Sequence, residues 1–255
     1  MIRSVTIGGG LVVIAAASML LYFKWGLLAS EIDMAVNGPR SVSERLQQYG
    51  PAVSLRLKPN FDRAGVSYPP TAVTLVVLKQ EKQVELYARG KGADSYCYIR
   101  TYPIFAASGR LGPKLRQGDW QVPEGVYGVE SLNPNSHYHL ALHVDYPNAF
   151  DRAKAQADGR TDLGGDIMIH GSNVSIGCVA MGDSAAEDFF VLAVQAGTAN
   201  VHLLFCPFDF RVMRAKPDVS QFPPWISELY ADLTEQLIKL PLPPGQAANM
   251  PPGPG

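Results

Sequence analysis

Residues 166–183 read DIMIHGSNVSIGCVAMGD, and they hold the side chains best suited to covalent chemistry in this chain. Cys178 directly follows Gly177, and His170 stands eight positions before it. The thiolate is the nucleophilic form of cysteine, and a histidine within reach can take the thiol proton and lower its pKa. A histidine at the end of a strand is held firmly enough to act as a base. Gly177 permits a tight turn whose backbone amides can converge on an oxyanion. By residue type alone two readings stay open. Cys178 is a nucleophile or a small buried hydrophobe, and His170 is its base or a satisfied strand-end histidine.

These residues need elements to carry them, and the sequence supplies mostly strands. Residues 166–170 form a short apolar strand that delivers His170 to a turn at Gly171 and Ser172. Upstream, residues 71–78 and 83–88 flank the polar Lys79-Gln80-Glu81-Lys82 in the manner of a hairpin. Residues 97–107 are β-rich, 126–130 follow a Pro-Glu-Gly turn, 137–144 alternate polar and apolar, and 200–205 make a last strand. Helical spacing is predicted over 41–49, over 52–64 with a break near Pro59, over 183–196 before Gly197, and over 226–238. The expected architecture is therefore mainly β (α+β), with one catalytic domain over 71–212. Residues 30–70 read as a helical connector and 213–239 as a C-terminal helical extension. Residues 240–255, rich in Pro and Gly, read as a disordered tail.

Val5 through Phe23 carry no charge, and Arg3 and Lys24 flank them. About 20 apolar residues cross a bilayer as a helix. Residues 1–29 are therefore expected to be a signal-anchor holding the chain to the inner membrane, or a signal peptide if cleaved. The formal charge is -1. Leaving out residues 1–29 gives 20 basic against 23 acidic side chains, so -3. Without a basic surplus, nucleic acid is not an expected partner. The three cysteines, Cys97, Cys178 and Cys206, leave at least one thiol unpaired in an oxidising compartment. Cys97 and Cys206 lie in strand-like runs where they could pair or pack as free thiols. No CxxC pair is present, and no metal or cofactor is expected.

The run HGSNVSIGC followed by Val-Ala-Met resembles the signature of the L,D-transpeptidase family, whose catalytic domain is of the YkuD type. GDWQVPEGVYGV at 118–129 resembles that family's segment entering the catalytic sheets, and NPNSHYHLALHVDYPN at 133–148 resembles its stretch between those two motifs. The likeness spans about residues 71–211 and is greatest to the YafK-like subgroup. It departs at Ala180, where many members carry Arg or Asn, and at Ile176, where many carry His. The interval from His170 to Cys178 is also shorter than in the commonest members.

The resemblance implies a YkuD-type β-sandwich of mixed sheets with short flanking helices, preceded by the N-terminal membrane helix. It also implies a periplasmic enzyme of cell-wall biogenesis and cell shape, acting on diaminopimelate-type stem peptides of peptidoglycan. Cys178 would form a thioacyl intermediate, His170 would be the base, and the amides of Gly177 and Cys178 would hold the oxyanion. The Gly171 carbonyl would orient His170, and Ser175 would take the family's hydroxyl position or simply form the turn. His139 would line the cleft or stand on the sheet surface, while Tyr138, His137, His143 and His202 read as structural. Arg152 and Arg160 are candidates to replace the clamp lost at Ala180. An amine acceptor would give a cross-link or attach a lipoprotein lysine, and water would give an L,D-carboxypeptidase or amidase that could release such a lipoprotein. A wall-binding module without activity is the third reading.

Overall fold

The computed structural model describes Val36 and residues 38–212 and 218–246. The expected membrane segment and the end of the tail lie outside the described residues. Among those described, no helix is long and apolar enough to cross a membrane.

The first element differs from expectation. In place of two short pieces there is one 23-residue helix, α1 (Val42–Ala64), running through Pro51 and Pro59. Ser41 caps it in a reciprocal box with Glu44, and Gly65 closes it in the left-handed conformation. An interior proline costs about 3 kcal/mol in a helix. Here the face formed by Val53, Leu57 and Phe61, each at 0% exposure, joins the main core and offsets that cost. Residues 42–64, which the sequence suggested were part of a connector, are thus packed against the main core.

Among the described residues nine strands follow: β1 (Ala72–Leu78), β2 (Gln83–Arg89), β3 (Cys97–Pro103), β4 (Ala106–Ala107), β5 (Gly125–Ser136), β6 (His139–Val144), β7 (Met168–His170), β8 (Val179–Ala180) and β9 (Val201–Cys206). They hydrogen-bond in the order β3-β2-β1-β9-β5-β6-β7-β8-β4, with parallel pairs at β1–β9 and β7–β8. The 12-residue β5 joins the two halves, because its start pairs with β9 and its remainder with β6. The sheet is mixed, as expected, but it is one continuous run of strands that curls, and α1 is not short. Cys97 and Cys206 sit on strands three places apart, about 14 Å at the usual spacing. A disulfide spans at most about 7 Å between Cα atoms. Both thiols are accordingly free.

Alternation along β1 separates two cores. Val73, Leu75 and Val77 face α1 and α3 (Asp183–Ala196), whereas Val76 and Leu78 face α4 (Ile226–Leu237). The inward residues of the other half, Leu140, Leu142, Val144, Ile169 and Val179, join the first core. The short helix α2 (Ala149–Ala157), capped by Asn148 and Asp151, was not foreseen, nor was the two-residue β8.

Candidate active site

Strand register brings the reactive residues together. Ala141 pairs with His170, His170 with Ala180, and Ala180 with Ala106, which makes one row across β6, β7, β8 and β4. Two residues along, His143 pairs with Met168, and Cys178 and Ser108 directly adjoin the paired residues of β8 and β4. Side chains two residues apart on a strand share a face. His170 and Cys178 therefore stand on the face opposite Ile169 and Val179, whose side chains anchor their strands in the core.

His170 is 1% exposed. Its Nδ1 lies 2.6 Å from the Gly171 carbonyl oxygen. A carbonyl can only accept, so Nδ1 carries the proton and Nε2 keeps its lone pair as the basic nitrogen. The Tyr138 ring stacks on the imidazole at 4.7 Å. No side chain fits at Gly171, since a Cβ there would lie 2.7 Å from both the Tyr138 carbonyl and Asp183 Oδ1. Asp183 also accepts the Ser172 amide at 2.8 Å, and the His170 carbonyl accepts from Met181 at 2.8 Å. The strand end that presents the base is thereby pinned on both sides.

Cys178 is half-buried, and its thiol donates to the Asp166 carbonyl at 3.6 Å. Burial pushes this thiol above its ordinary pKa and the Asp166 carboxylate adds to the effect, while a backbone hydrogen bond and Lys114 act the other way. Burial pushes His170 below its ordinary value. The expected lowering of the thiol pKa is thus reversed. Both shifts favour the uncharged forms of thiol and imidazole, a bias suited to proton transfer during attack rather than to a standing ion pair.

The loop between them has its own ties. Gly177 adopts φ +100°, a conformation that favours glycine. Its amide donates to Ser108 Oγ, and the Ser175 hydroxyl donates to the Cys178 carbonyl, closing the turn. Ile176 is 75% exposed, and Phe105 and Trp120 are also exposed. Ala180 is fully buried. The segment 118–125 acts as a brace. Asp119 accepts from Lys114, Leu115, Arg116 and Gln121, the Gln121 amide grips Arg110 and Gly112, and Glu124 pairs with buried Lys79.

The remaining candidates are less central. His139 Nε2 lies 3.1 Å from Glu187 Oε1, and its ring meets Tyr49 of α1 edge-on, so that imidazole is engaged on the helical side. Arg152 is exposed on α2, with no side-chain bond that brings it to the Cys178 loop. Arg160 is occupied by Asp158 and the Leu115 carbonyl. Sequence reasoning set His143 aside, yet it lies in the nucleophile's row, with Nδ1 3.5 Å from Asp166 Oδ1. Ser108 and Asp166 were not foreseen either, because their places depend on pairings only two or three residues long. Among the described residues no three His, Cys, Asp or Glu side chains group to hold a metal ion.

A curled mixed sheet with a tautomer-fixed histidine at the end of β7 and a cysteine directly before the parallel β8 defines a candidate Cys–His site on a β scaffold. Residues 72–202 match the L,D-transpeptidase catalytic domain (YkuD), and the chain belongs to that family. It is 38% identical over 141 residues to "Putative L,D-transpeptidase YafK" of Escherichia coli K12, covering 53% of this chain and 54% of that protein. The counterpart in Escherichia coli O157:H7 matches to the same extent. The chain thus spans about half the length of the curated relatives it matches. Among solved structures, the helical cell shape determining protein Pgp2 of Campylobacter jejuni is similar with a TM-score of 0.44 and 22% identity, covering 62% of this chain and 57% of that one. L,D-transpeptidase 1 of Mycobacterium tuberculosis gives a TM-score of 0.31 and 18% identity, covering 53% and 62%.

Proposed function

We propose that this chain is a cysteine acyltransferase acting on peptidoglycan stem peptides in the periplasm, where residues 1–29 would tether it. The observation that carries the reading is the His170 Nδ1–H bond to the Gly171 carbonyl, which leaves Nε2 as a base on the face that Cys178 shares. Cys178 gives its proton to His170 Nε2 and attacks the carbonyl at the L-centre of a diaminopimelate residue. The tetrahedral intermediate collapses, and the amine leaves with the proton from His170. A second amine then resolves the thioester, giving transpeptidation. The downward shift of His170 keeps its base form available at neutral pH, so the acid limb of kcat/KM is expected below the ordinary histidine value. The buried Ala180 takes no part in holding the substrate carboxylate on this reading.

The test is a mass-resolved digest of diaminopimelate-containing muropeptides by the full chain, with Cys178→Ala as control. Cross-linked dimers or D-Ala exchange made only by the wild type support transpeptidation. Shortened peptides, or a released lipoprotein lysine fragment without dimers, replace that reading with hydrolysis. Substrates untouched by both proteins sink the acyl-transfer reading and favour a binding module.

A further inference from the structure

The amide of Gly177 is already engaged at rest, because it donates to Ser108 Oγ. Ser108 follows β4, whose Ala106 and Ala107 pair with Ala180 and Val179. Ser108 and Cys178 are the next residues of the two chains beyond the Ala107–Val179 pair, and the Gly177 bond holds Ser108 beside the Cys178 loop. A serine hydroxyl has one proton to give and two lone pairs to accept with. One lone pair is taken by Gly177, and among the described residues none accepts the Ser108 proton. That proton is therefore available to a group bound at Cys178, and the N–H behind it polarises the hydroxyl and makes it a better donor.

We propose that Ser108 is a catalytic residue, a side-chain oxyanion donor acting together with the Cys178 amide, while the Gly177 amide serves it from behind. The proposal rests on the acyl-transfer reading above. As the sulfur of Cys178 bonds to the acyl carbon, the carbonyl π pair moves to oxygen, and that oxygen accepts from Ser108 O–H. Collapse restores the carbonyl and breaks the bond to the leaving group. Ser108 keeps its own proton throughout, and only His170 carries a proton between thiol and leaving group. The loop does not need Ser108 to keep its shape. Arg110 and Gly112 are held by Gln121, and Gly112 is held again by Glu124 and Lys79.

Two reactions of the same thiol separate this role from a structural one. Acylation by p-nitrophenyl acetate passes through an oxyanion, whereas alkylation by iodoacetamide does not. Both are followed on the full chain by intact mass at Cys178, with nitrophenol release giving the acylation rate. Removing one oxyanion donor costs about 10²–10³-fold in rate. Ser108→Ala frees the Gly177 amide to substitute in part, so a loss of about 10–100-fold in acylation is expected. Alkylation should be unchanged, and Ser108→Thr, which keeps a hydroxyl, should recover most of the acylation rate. If Ser108→Ala is acylated as fast as the wild type, or loses alkylation in step with acylation, the assignment is overturned. If the wild type is alkylated but never acylated, the acyl-transfer reading falls and takes this one with it.

Discussion

Replacing Lys79 with methionine keeps most of the side chain's length and removes its charge. In the folded chain Lys79 Nζ is buried and donates to the carbonyls of Gly112 and Val122 at 2.9 Å and to Glu124 Oε1 at 3.0 Å. Glu124 also accepts from the Gly112 amide at 2.7 Å and the Tyr230 hydroxyl at 2.9 Å. Burial lowers the Lys79 pKa, and Glu124 works against that shift, so each charge is tolerated because of the other. Breaking one side of a buried pair costs about 3–5 kcal/mol. The amide and hydroxyl donors left on Glu124 place Lys79→Met near the lower end, about 3 kcal/mol, or a fall in Tm of about 6–12 °C for a domain of this size.

The pH dependence identifies the cause. In the variant, Glu124 is a buried carboxylate without a cation, and burying an unpaired charge shifts such a group toward its protonated form. A group shifted this way contributes stability that is present below the unfolded pKa and is lost as pH rises through the folded pKa. The deficit against wild type should therefore be small at acid pH and grow towards neutrality, by at most about 1.4 kcal/mol per pH unit. Adding Glu124→Gln keeps an acceptor for Gly112 and removes the stranded charge, so the double variant should be more stable at neutral pH than Lys79→Met alone. Calorimetric melts across this range settle the matter. A deficit that does not vary with pH, or a double variant that is simply additive, would refute the reasoning.

Asp166→Asn removes a like charge beside Cys178, so the pH profile of iodoacetamide alkylation should move to lower pH, while the wild-type rate keeps climbing beyond the ordinary cysteine range. Gly171→Ala forces a methyl against Tyr138, Asp183 and His139; it should cost about 1–3 kcal/mol in a melt. By displacing the carbonyl that orients His170, it should also lower acylation about 10²-fold. Leu57→Ala on α1 should lose about 2–5 kcal/mol by denaturant titration, as expected of a core residue and not of a connector.

What was legible in the sequence followed periodicity and local chemistry. Residues 183–196 read as a helix and form one with the same bounds, because its apolar spacing and the following Gly197 are local signals. The hairpin at 72–89 was equally plain. Cys178 and His170 were singled out by their types, spacing and family resemblance, and the β7–β8 register sets His170 opposite Ala180, two residues after Cys178. Prolines misled at α1, where a tertiary contact outweighs a local penalty that the sequence displays openly. Helix α2 was missed although Asn148 and Asp151 form a capping box, since its apolar face is little more than Ala155. The protonation state of the thiol was misjudged for a different reason. A neighbouring histidine is visible in sequence, but the burial that shifts both groups toward their neutral forms is a property of the folded sheet.

The two-residue strands β4 and β8 form the edge of the sheet that carries the nucleophile, and strands so short contribute few ladder bonds of their own. Their position is held from outside by buried polar clamps. Glu124 with Lys79, Asp119 with Lys114, and Gln121 all tie the segment 110–124 that leads away from Ser108. This explains how the 118–125 motif can accompany Cys178 and His170 as a brace rather than as a source of reacting groups. On the proposed acyl-transfer reading, the base and the oxyanion donors would serve both half-reactions alike, so the choice between amine and water would fall to groups outside them, and the exposed Phe105, Trp120 and Ile176 are candidates.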